Sequence, residues 1–154
     1  MMSSGGRLGA NLVALSGIAM IGYGALFLVR NFTAFTEIGL TAELVGGTPQ
    51  EIARFSPRLY NYISHLHVAV AGLIIGVGIT VVLLAWFGIR SGQHWARWSA
   101  LAVPGVALGI VLPIHHLHGL ATLGHVGPVY LAMLVLVTGV ALARSGRRHA
   151  ATPT

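Results

Sequence analysis

Apolar residues fall into four long blocks, at 8–29, 66–89, 98–117 and 126–143, separated by short polar stretches and one longer connection. Each block is close to the ~20 residues that cross a hydrocarbon core of ~30 Å as a helix. None alternates with period two, and all are rich in Gly and Ala, which argues against barrel strands. Helices remain as the way to satisfy backbone hydrogen bonds in lipid. The pattern therefore predicts an all-α integral membrane four-helix bundle, with residues 8–143 forming one transmembrane domain. The first block is longer than a signal h-region, and no A-x-A cleavage site follows before Arg30, so it reads as a retained anchor.

The connection at 30–65 has its own pattern. In "NFTAFTEIGLTAELV", Phe32, Phe35, Ile38, Ala42 and Val45 recur at helical spacing, with Thr33, Thr36, Glu37, Thr41 and Glu43 on the other side. This predicts an amphipathic helix lying in the membrane interface, ended by Gly46-Gly47. "TPQE", Thr48 to Glu51, carries an N-cap, a proline at the first helical position and a capping-box glutamate. "SPR", Ser56 to Arg58, repeats the cap-plus-proline signal and predicts a helix that continues into the second span. Such a helix would align Arg58, Tyr62 and His65 on one face, with Arg58 and Tyr62 as loop support. The loop is read as a lid, covering either bare helix ends or a site.

Composition sharpens this picture. Hydrophobic residues make up 55% of the chain, only 8% are charged, and mean hydropathy is +0.81. A soluble domain is nearer a quarter charged, so lipid must solvate much of this surface. There is no Cys, Lys or Asp, and the only acids are Glu37, Glu43 and Glu51. Disulfides, thiolate metal sites and cysteine nucleophiles are excluded. Paired-carboxylate catalysis is disfavoured, and G-x-S-x-G, P-loop, Rossmann and H-E-x-x-H motifs are absent. The pI of about 11.2 would suit nucleic acid, but the arginines sit at helix ends, so no nucleic-acid partner is expected. Arg7, Arg90, Arg97, Arg144, Arg147 and Arg148 share one set of ends, against Arg30, Arg54 and Arg58 at the other. That bias places both termini in the cytoplasm, with 1–7 as an inner N-terminus and 144–154 as a basic, disordered tail. Trp86, Trp95 and Trp98 cluster at the same inner face. The expected setting is a prokaryotic cell (plasma) membrane, with the bilayer and either other membrane subunits or a second copy of the chain as partners.

Histidine is the one residue type here that carries chemistry. His65, His67, His115, His116, His118 and His125 all fall at the outer ends of spans, with only His94 and His149 inside. "SHLHV" and "PIHHLHG" supply five of the six. His65 lies seven and eleven residues before Gly72 and Gly76, and His116 seven and eleven after Gly109 and Gly105. Those separations return to nearly the same helix face. If the small-xxx-small pairs Gly72/Gly76 and Gly105/Gly109 mark helix-packing faces, His65 and His116 point inward together, unless Pro113 rotates His116. His115 and His118, three apart, form a neighbouring pair. The six histidines are thus candidate ligands for a transition metal (Zn, Fe or Cu), or two of them for haem, in a small redox enzyme or its membrane subunit. The competing expectations are a cofactor-free structural or assembly subunit with interfacial histidines, and a small transporter. A transporter is disfavoured because no span contains an acid.

Overall fold

The computed structural model describes residues 3–148. It is helical over 85% of the chain, and among the described residues there is no strand. Six helices follow one another: α1 (Ser4–Thr33), α2 (Ala42–Val45), α3 (Pro49–Phe55), α4 (Pro57–Leu83), α5 (His94–Leu117) and α6 (Leu123–Arg148). A π-helical segment, Leu84–Ile89, extends α4. Four helices are long and apolar enough to cross a membrane: Ser4–Thr33, Pro57–Ile89, His94–Leu117 and Leu123–Arg144. Residues 1, 2 and 149–154, with His149 and most of the expected tail, lie outside the described residues. The helix α6 reaches Arg148, so the first part of that tail is helical rather than disordered.

Helix α1 is the axis of the bundle, with α4 and α6 antiparallel against it. Two close approaches fix the register. A Cβ on Gly17 would lie 2.8 Å from the Gly78 carbonyl, and one on Gly78 2.7 Å from the Gly17 carbonyl. Gly9 and Gly139 play the same part between α1 and α6, where a Cβ on Gly9 would run into the backbone at Ala143. Small residues let the helix backbones approach this closely, the packing that apolar spanning helices use. Around these contacts Ala10, Val13, Ala14, Val81, Ala85, Ile89, Ala96, Ala100, Leu136, Val140 and Ala143 form one buried cluster. It lies at the end of the bundle opposite the histidines. Ser16 Oγ donates to the Ala132 carbonyl at 2.8 Å, adding a polar tie between α1 and α6.

The glycines that pack are not the ones the sequence pattern selects. A Cβ on Gly72, Gly76, Gly105 or Gly109 would meet nothing within 4 Å. In a chain with 21 glycines, such pairs recur by chance. His65 is exposed with Gly72 and Gly76, and His116 with Gly109, while Gly105 is half-buried, so these faces point outward rather than inward.

The connection between α1 and α4 also differs from its expected form. Its second half follows the sequence signals. Thr48 and Glu51 make a reciprocal capping box, and Ser56 caps α4, which runs unbroken into its span. The first half is not an amphipathic helix. After Thr33 the chain leaves helical geometry at Phe35 (φ 62) and Gly39 (φ 77), and only Ala42–Val45 is helical. Phe35 takes the left-handed position that ends a helix, where Gly is usual. Its amide and that of Ala34 both bond the Arg30 carbonyl. Burial of its ring, stacked on Tyr60 at 4.1 Å, offsets the conformational cost.

Candidate metal centre

The break at Phe35 turns residues 36–40 back over the start of α6. Arg30 holds this return, donating from Nε to the Thr36 carbonyl at 3.1 Å. Gly39 then meets α6 backbone to backbone: a Cβ there would collide with Gly124 and His125. Thr122 Oγ1 donates to the Gly39 carbonyl at 2.9 Å. Only glycine combines that positive φ with that approach.

The clasp delivers Glu37 to the histidines. Its Oε2 lies 3.1 Å from His125 Nε2 and its Oε1 lies 3.9 Å from His67 Nε2. The His115 ring stacks on the His125 ring, with centroids 4.9 Å apart. One potential ligand atom from each of Glu37, His115 and His125 lies within 4.8 Å of the others. Burial is graded, with the His125 side chain 5% exposed and the Glu37 side chain 30%. Tyr23 closes the bundle side, its hydroxyl donating to the His125 carbonyl at 3.5 Å.

Ring-nitrogen partners define the chemistry. A carbonyl can only accept, so His125 Nδ1–H donates to Ile38 at 2.8 Å, and His115 Nδ1–H to Val111 at 2.9 Å. Metal-ligating histidines use this arrangement, one N–H on a backbone carbonyl fixing the tautomer and freeing the other nitrogen. In both residues the freed atom is Nε2. At His125 that atom either carries a second proton, as an imidazolium facing Glu37, or offers its lone pair to a metal. Two donors on one tetrahedral metal, each at ~2.0–2.1 Å, stand roughly 3.3 Å apart, close to the 3.1 Å between His125 and Glu37.

Glu37 is held below its ordinary carboxyl pKa of 4.5. Burial pushes the value up, but the hydrogen bond from His125 and the positive charge available on His125, His67 and His115 outweigh it.

The other sequence candidates distribute differently. His67 is walled by Phe27 and Phe35, with ring centroids at 5.3 and 5.6 Å, and faces the second Glu37 oxygen. His116 is exposed and pairs with the Tyr130 hydroxyl at 2.9 Å, so it does not meet His65. His65 and His118 are exposed and outside the group, as are Arg58 and Tyr62. Tyr60, two residues before Tyr62, is the aromatic that supports the loop. Glu37 is the member that the sequence pattern missed. Its signal was Gly39, a helix breaker inside the supposed amphipathic helix, next to one of only three acids in the chain.

Compared with family models, curated proteins and solved structures, the chain matches none. Fold and site thus define a class without a relative to refine it: an all-helical protein with four potential membrane spans, carrying a His/Glu group able to hold a metal ion.

Proposed function

We propose that this is a multi-pass membrane metalloprotein whose centre is Glu37, His115 and His125, at the outer end of a bundle with both termini in the cytoplasm. The observation that carries it is the convergence of three donors from three separate chain segments within 4.8 Å, with both histidines anchored through Nδ1. Two imidazoles and one carboxylate leave coordination positions open, as in catalytic zinc and non-haem iron sites. The hard carboxylate favours Zn or Fe over Cu(I). A haem would have to lie between its two axial imidazoles, and the stacking of His115 on His125 at 4.9 Å leaves no gap for a macrocycle. With iron the centre would serve a small redox enzyme or the membrane subunit of one. The arginine bias supports the orientation, in a prokaryotic cell membrane.

A second reading has its own support. The Glu37–His125 contact and the Ile38 hydrogen bond already tie the loop to α6 without any ion. The protein would then be a cofactor-free structural or assembly subunit, joined to other membrane subunits or to a second copy. Elemental analysis and an absorption spectrum of protein purified without a polyhistidine tag separate the two. The metalloprotein reading expects about one Zn or Fe per chain, lost in Glu37→Gln. Metal-free protein that neither retains nor takes up an added ion overturns it.

A further inference from the structure

The candidate centre is closed on the bundle side by Tyr23 and covered at the end of α6 by residues 37–40. Glu37 and His115 are only half-buried, so the centre stays reachable from the α5 side. Helix α5 is the least buried of the four spans, with 11% of its apolar window inside the fold. Its neighbours along the seam with α6 are apolar and open: Ile114 50%, Leu117 79%, Leu123 85% and Leu131 62% exposed. Leu117 and Leu123 flank the α5–α6 turn and are among the most exposed large hydrophobics in the chain.

A polar pair crosses this surface. His116 Nε2 and the Tyr130 hydroxyl meet at 2.9 Å across the seam, both on exposed residues. Whichever of the two donates, the phenol oxygen and His116 Nδ1 keep hydrogen-bonding capacity for a third group. His116 adjoins His115, so the pair lies one residue from a proposed ligand.

We propose that the metal centre takes its substrate sideways from the membrane, as an amphiphile with a hydroxyl or carbonyl head. The His116–Tyr130 pair orients that head, and Leu117 and Leu123 flank its apolar tail. The inference rests on the metal-centre reading. His116 and Tyr130 are positioning residues; the head group itself reaches the metal's open position.

The test uses the full chain, loaded with Co(II) and reconstituted in phosphatidylcholine vesicles. Acetohydroxamic acid and decanohydroxamic acid share a metal-binding head and differ in tail. Each is titrated while the Co(II) absorption bands are followed, with the decanoyl probe counted at its membrane concentration. Tyr130→Phe and His116→Gln should each weaken decanohydroxamate about 10-fold and leave acetohydroxamate within about 2-fold. Unperturbed Co(II) bands before titration show that each variant keeps the centre intact. Equal weakening of both probes, or none of either, overturns the membrane route. Binding of acetohydroxamate alone assigns the site to water-soluble ligands and also overturns it. A chain that takes up no Co(II) refutes the metal reading itself, a result distinct from every probe outcome.

Discussion

The two ends of this bundle are held together by different physics. At the arginine end, α1 meets α4 and α6 through glycine and alanine, backbone against backbone, around a buried apolar cluster. At the histidine end, Phe27, Phe35, Leu40 and Val126 are buried outside that cluster. There the helices are joined by a loop, a ring stack and a set of hydrogen bonds to carbonyls. The first end is a rigid scaffold that tolerates no added volume. The second is a polar assembly whose parts could serve a ligand. The lesson is that close packing and site-building separate along the helix axis.

The largest expected effect breaks the scaffold. Gly17→Val or Gly9→Val should separate the helices at a cost of about 3 kcal/mol or more, read as lost resistance to thermal unfolding in detergent. Gly105→Val and Gly109→Val face open space and should be neutral or stabilising by a few tenths of a kcal/mol, because Val is a better helix former than Gly. Comparable losses from both pairs would mean that the wrong glycines have been assigned to packing.

Next in size is the clasp. Gly39→Ala forces a residue with Cβ into φ 77 against the backbone of Gly124 and His125. It should cost about 2 kcal/mol locally, visible as faster hydrogen exchange in 34–41. Helical circular dichroism should not change, because the scaffold end is untouched. Unfolding of the spans by this substitution would erase the distinction between the two ends.

A smaller effect follows from the Glu37 carboxyl. Its folded pKa lies below the ordinary 4.5, so the charged form is favoured by the fold. The resulting stability is fully present above about pH 4.5 and is lost as pH falls through the lower folded value. Metal-free wild type should therefore lose stability relative to Glu37→Gln as pH falls below 4.5, hold a constant difference from there to about pH 6.5, and lose it again as pH rises through the raised His125 pKa. A difference that does not vary between pH 3 and 6 would contradict the Glu37–His125 contact. Smallest is Thr48→Ala, which removes the capping box of α3. A cost of about 1 kcal/mol, confined to that helix and leaving ion binding unchanged, is expected from exchange rates in 48–55.

The fold was far more legible than the site. Hydropathy locates the four helices long and apolar enough to cross a membrane because length and composition alone decide them, and Thr48, Glu51, Ser56 and Pro57 mark the starts of α3 and α4 locally. Which face of a span turns inward is a relation between helices, and a single helix's pattern does not contain it. His65 shares an outward face of α4 with Gly72 and Gly76, and His116 an outward face of α5 with Gly109, where the glycine spacing predicts inward ones. Glu37 was hidden for a different reason. The spacing of Phe32, Phe35, Ile38 and Ala42 imitates a helix, while the burial of Phe35 against Tyr60 and the approach of Gly39 to Gly124 override it. Both are long-range contacts that local periodicity cannot express.

The most direct test of the central claim is calorimetric titration of the metal-free, tag-free protein with Zn(II), comparing His115→Ala with His118→Ala. The two residues are three apart on the same outer rim, yet only His115 stacks on His125 and joins Glu37. One Zn(II) per chain, bound about 100-fold or more weakly by His115→Ala and unchanged by His118→Ala, is the predicted result. Equal affinities for the two variants, or no binding by the wild type, would contradict it.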